Sequence, residues 1–126
     1  FDEYAVTYIN QVVDAVQAKG ARIIVHICGQ MKSVYDKVAK IHSDAFSFDA
    51  VVSLREARKN LPEKVIMGNV STFAIENQNE DTVDKLTRAA YSNGSDIISP
   101  ACGLGMGSPL NNVQQVLRTV KTFADE

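Results

Sequence analysis

Residues 22–29 read Arg22-Ile23-Ile24-Val25-His26-Ile27-Cys28-Gly29. A short β-branched run closed by glycine is the pattern of a buried strand, and the elements on either side of it decide the fold. Upstream, Ala5, Tyr8, Ile9, Val12, Val13 and Val16 recur at spacings of three and four within residues 2–19, the period of an amphipathic helix. Asp2 and Glu3 suit the positive end of that helix and Gly20 its stop. Downstream, residues 31–42 return to helical period through Met31, Val34, Tyr35, Val38 and Ile41.

The alternation continues to the end of the chain. Residues 45–50 read as a short strand, and residues 53–60 as a short helix with Ser53 as N-cap and Glu56 as its capping-box partner. Residues 64–70 read as a third strand. A helix over 79–93 opens with acids and ends at Asn93-Gly94. Residues 96–101 read as the fourth strand, and after a glycine-rich segment Ser108 and Pro109 suit the N-cap and N1 of a last helix. One helix followed by four βα units predicts an α/β fold of four parallel strands with flanking helices. Four such strands suit either an open doubly wound sheet or half of a barrel, and periodicity does not choose between them.

The bulk numbers set limits. At 126 residues the chain is one domain's worth. It is 45% apolar and 22% charged with a net charge of −2, so no basic stripe points to nucleic acid. No apolar run approaches the roughly 20 residues of a membrane span, and no signal peptide is visible. The two cysteines, Cys28 and Cys102, lie far apart in such a chain, so a reduced cytoplasmic pair is expected and attention moves from a disulfide to metal or catalysis. The first residue is Phe1, not Met, and the chain reads as a piece of something longer.

His26 and Cys28 are two apart on one predicted strand and so share a face, at the C-terminal end where α/β folds place their sites. Cys102 follows the last strand in the same way. One imidazole and two thiolates are a zinc-type ligand set that leaves a position open for substrate. Buried structural roles are the alternative, since an isolated Cys commonly acts as a small hydrophobe. His42 reads as a helix C-terminal cap. Asp49 ends the second strand, as a turn residue or a carboxylate on the same rim. Asn69, in the strand-end pair Gly68-Asn69, either bonds a ligand or orders a turn. The run Gly103-Leu104-Gly105-Met106-Gly107 precedes a helix N-terminus, where anions are favoured, yet it fits no nucleotide motif and its glycines equally serve a sharp turn.

His26-Ile27-Cys28-Gly29, Gly68-Asn69 and Pro100-Ala101-Cys102-Gly103-Leu104-Gly105 together resemble the C-terminal half of the uroporphyrinogen decarboxylase superfamily, in its methylcobamide:coenzyme M methyltransferase branch. The resemblance covers nearly the whole chain. It implies that residues 1–126 are the second half of a TIM-like (β/α)8 barrel, and that His26, Cys28 and Cys102 bind zinc. It also implies a cytoplasmic methyltransferase, in which zinc activates a small thiol such as coenzyme M and a methylated corrinoid or corrinoid protein donates the methyl. Decarboxylases proper lack the HxCG motif. Cobalamin-independent methionine synthase is a second relative, with a carboxylate at the next strand end where this chain has Asp49. Asp49 is thus a candidate fourth ligand or supporting partner, and Asp49 and Asn69 are the candidate cofactor contacts. The alternatives are a tetrahydrofolate-accepting relative, a uroporphyrinogen decarboxylase, or a non-catalytic fragment or interaction domain. A barrel needs about 250 residues. The expected partners are therefore the missing N-terminal half or a second copy of the chain, with neither nucleic acid nor membrane involved.

Overall fold

The computed structural model describes residues 1–125. Its strands are β1 (Ile24–Ile27), β2 (Ala45–Phe48), β3 (Val65–Val70) and β4 (Ile97–Pro100). Its α-helices are α1 (Thr7–Gln17), α2 (Tyr35–Val38), α3 (Leu54–Asn60), α4 (Thr72–Asn77), α5 (Glu80–Ser92) and α6 (Leu110–Phe123), with one π-helical turn (Asp2–Val6) leading into α1. All strands are parallel and their spatial order is β1-β2-β3-β4. This settles the question left open by periodicity. A doubly wound sheet reverses its order to place helices on both faces. An unreversed order with right-handed crossovers puts every helix on one face, as in a (β/α) barrel.

The helix-facing side is the core. Phe46, Phe48, Ile66 and Val70 project to that side and are buried, against Val13, Ile41, Leu61, Ile75 and Val83 from the surrounding segments. Burying each such side chain is worth about 1.5–3 kcal/mol. The opposite side carries Ile24, Val65 and Ile97, which remain 39–48% exposed. β1 and β4 each pair on one side only among the described residues.

Local signals explain the helix ends. Ser53, Ser71 and Asn79 each accept a backbone N–H through the side chain, from Glu56, Ala74 and Thr82 respectively. Glu56 itself faces Lys32 at 3.6 Å, so the ion pair takes the side chain expected to complete the capping box. Two expectations are corrected and one helix is added. The helix expected over 31–42 is confined to α2 and short turns, although Met31, Tyr35, Val38 and Ile41 are buried as their spacing implied. α6 starts at Leu110 with Pro109 in the cap position, which leaves Ser108 one residue outside it. α4 has no counterpart in the sequence reading. Among the described residues no helix is long and apolar enough to cross a membrane.

Candidate metal centre

β1 carries His26 and ends one residue before Cys28, while β4 ends two residues before Cys102. Neighbouring strands lie about 4.8 Å apart, so a flat sheet would separate β1 from β4 by about 14 Å. Yet Cys28 Sγ lies 3.7 Å from Cys102 Sγ. The C-terminal strand ends and their loops therefore converge on one point, as they do at the mouth of a barrel.

His26 Nε2 completes the group, 3.0 Å from Cys28 Sγ and 3.6 Å from Cys102 Sγ. Among the described residues these three form a His/Cys/Asp/Glu group whose donor atoms all lie within 4.8 Å of one another. The spacing tests whether zinc would fit. With Zn–S near 2.3 Å and Zn–N near 2.0–2.1 Å, a tetrahedral ion spaces its sulfurs by about 3.8 Å and sulfur from nitrogen by about 3.6 Å. The Cys28–Cys102 and Cys102–His26 separations match these values, and His26–Cys28 is closer, at hydrogen-bond length. Donor chemistry and two of the three separations fit, and the third needs His26 and Cys28 to part by about 0.6 Å. Burial first, then the hydrogen bond and charge of Cys28, push the Cys102 thiol up from its ordinary pKa. Two thiolates this close repel, and a cation between them removes that cost.

β2 braces the group from behind. Ser47, in register with His26, places Oγ 2.9 Å from His26 Nδ1. Asp49 accepts the N–H of Gly29 at 3.0 Å and that of Val51 at 3.2 Å, one on each oxygen. The Gly29 amide, followed by that of Val51, holds the Asp49 carboxyl below its ordinary pKa. Asp49 thus grips the residue after Cys28 and stands outside the His26–Cys28–Cys102 group. Asn69 donates to the carbonyls of Asp49 (3.0 Å) and Val52 (2.8 Å), so its amide orders the loop after β2. The sequence reading missed Ser47. Its signal was a single hydroxyl inside the otherwise apolar run of β2.

The remaining candidates fall elsewhere. His42 does not cap a helix, because α2 ends at Val38. Its Nδ1 lies 3.1 Å from Asp14 Oδ1 and its N–H donates to Asn10, docking this segment on α1. In the glycine-rich run, Gly107 N–H donates to Glu76 Oε1 at 3.0 Å. A Cβ on Gly105 or Gly107 would collide with that carboxylate, so the anion at this loop is the chain's own Glu76. A groove of about 310 Å³ opens beside the site on the helix-free side, lined by Ile24, Met67 and Pro100 with His26, Ser47 and Cys102.

Comparison with known proteins follows the same line. The family model for uroporphyrinogen decarboxylase (URO-D) matches residues 1–123. Methylcobamide:CoM methyltransferase MtbA of Methanosarcina acetivorans is 26% identical over 98% of this chain and 37% of its own length. A uroporphyrinogen decarboxylase of Anaeromyxobacter dehalogenans is 27% identical over 97% of this chain and 36% of its own length. Among solved structures, a methyltransferase from Methanosarcina mazei superposes with a TM-score of 0.88 at 20% identity, covering 97% of this chain and 36% of that one. The chain therefore spans a little over a third of the length of these relatives.

Proposed function

The chain belongs to the uroporphyrinogen decarboxylase (URO-D) family, and from that premise we propose that it is the metal-bearing C-terminal half-barrel of a corrinoid-dependent thiol methyltransferase. The carrying observation is the convergence of His26, Cys28 and Cys102. His26 would contribute one neutral ligand, and Cys28 and Cys102 two anionic ones. Together they would neutralise a dication, and a three-ligand set of this kind would leave room for a substrate ligand. Zinc held there supplies one thing, an acceptor thiol kept as thiolate at neutral pH. A free thiol, with a pKa of about 8.5, is mostly protonated there. His26, Cys28 and Cys102 would hold that thiolate at the mouth of the groove, and a methylated corrinoid would supply the methyl group it accepts, the carbon–cobalt bonding pair staying with the cobalt.

Ile24, Met67 and Pro100 give the groove an apolar wall on this chain's side, which would exclude water once the rest of the barrel covers it. The cluster favours transfer over decarboxylation, which has no use for a soft, thiolate-rich ligand set. The cytoplasm is the fitting compartment, because the site needs reduced cysteines. The exposed sheet face and the one-sided pairing of β1 and β4 are the surfaces on which the N-terminal half, or a second copy, would complete the barrel.

The test uses the full-length protein. Zinc is measured by elemental analysis, and loss of methylcobalamin absorbance is followed with coenzyme M, homocysteine and tetrahydrofolate offered in turn. We expect about one zinc per chain and transfer to a thiol, abolished by Cys28→Ala and Cys102→Ala and retained in His42→Ala. No zinc, or full activity in both Cys variants, would overturn the reading. Transfer to tetrahydrofolate alone would replace it with the folate-accepting relative.

A further inference from the structure

We infer that Ser47 is a positioning residue for this centre: its hydroxyl accepts the Nδ1 proton of His26 and so holds the ring with the Nε2 lone pair facing the two sulfurs. The inference rests on the metal-site reading above. A neutral imidazole carries one proton on one of two nitrogens. If it sits on Nε2, it points at Cys28 Sγ, 3.0 Å away, and that nitrogen cannot ligate. If it sits on Nδ1, Nε2 is free, and the proton needs an acceptor. Ser47 Oγ, at 2.9 Å, is placed to be that acceptor.

The placement follows from the sheet. Parallel pairing sets His26 opposite Ser47, so both side chains leave the same face. Phe46 and Phe48, on either side of Ser47, point to the other face and are fully buried, which fixes the strand. Ser47 itself is 6% exposed, although His26 is exposed. The ring torsion of histidine is broad when nothing holds it, so the buried hydroxyl is what selects one orientation of an otherwise open ring. A hydroxyl also suits the charge balance. The two cysteines already cancel a dication, and a carboxylate in this place would add a third negative charge.

The experiment compares the full chain with Ser47→Ala and Ser47→Thr. Zinc affinity is read by competition with a chromophoric chelator. The geometry of the site is read from the visible spectrum of the cobalt(II) form. We expect Ser47→Ala to bind zinc about 10–100-fold more weakly, the range typical of losing a partner behind a metal-bound histidine, with an altered cobalt spectrum. Ser47→Thr, which keeps the hydroxyl, should restore most of the affinity and the original bands. Unchanged affinity and spectrum in Ser47→Ala would overturn the role of Ser47 alone. Equal weakening in both variants would overturn it too, by pointing to packing and not the hydroxyl. Failure of the unmodified chain to bind either metal would remove the metal-site reading, and this inference with it.

Discussion

Replacing Asp49 by Asn tests how the turn after Cys28 is held. Each Asp49 oxygen accepts one backbone amide, that of Gly29 at 3.0 Å and that of Val51 at 3.2 Å. Asparagine has one carbonyl oxygen, so one of the two amides would face an NH₂ group instead. A hydrogen bond to a charged group is worth about 1.5–3 kcal/mol. If that energy is what keeps residues 28 and 29 in their binding arrangement, metal affinity should fall by the same amount, about 10–100-fold at 1.4 kcal/mol per tenfold. Zinc competition with a chelator measures this directly, with His42→Ala as the control that should not change. Undiminished affinity in Asp49→Asn would refute the bracing argument. A loss as deep as that of Cys28→Ala would show that the carboxylate is itself a ligand.

Other parts of the molecule give independent tests. Asn112, buried, donates to the carbonyls of Ile75 (2.9 Å) and Gln78 (2.7 Å) and ties α4 to α6. Asn112→Ala should cost about 1–3 kcal/mol in denaturant unfolding, and a change within about 0.5 kcal/mol would place it with ordinary surface substitutions. The Thr119 hydroxyl, then Arg88, hold the Asp84 carboxyl below its ordinary value of 3.8. Its folded pKa lies under the unfolded one, so its stabilisation is complete above the unfolded pKa and is lost as pH falls through the folded pKa. The stability gap between the protein and Asp84→Asn should therefore shrink below about pH 4, and a gap constant from neutrality into strong acid would contradict this. Finally, light scattering of the 126-residue chain across a concentration series should show self-association through its open sheet edges. A clean monomer at high concentration would count against the half-barrel surfaces.

The strands were legible because each is a short apolar run bounded by turn residues. Their order was not, since it depends on crossovers that leave no local mark. α4 escaped notice because six residues are under two turns, too few to display a period, although Ser71 was a readable cap. Residues 31–42 misled in the opposite direction. Met31, Tyr35, Val38 and Ile41 do bury together, but successive turns can present the same residues to the core as a regular helix does. At the site, His26, Cys28 and Cys102 stood out by residue type and strand-end position. Ser47 did not, because its importance lies in the register of β2 against β1, which no single segment records.

The strand order also bears on how the chain assembles. Each strand pairs with the next one in sequence, which joins residues 20 to 30 positions apart (Ile24 with Ala45, Ala45 with Val65, Met67 with Ile97). Cys28 and Cys102 are 74 positions apart. Loop-closure entropy rises with the length enclosed, and each completed pairing shortens the free chain left between the two cysteines. The cluster therefore forms most readily once all three pairings are in place, because only then does the curled sheet bring its two ends within reach. Partly folded chains would hold the cysteines apart, and a closed site would mark a chain whose sheet is already complete.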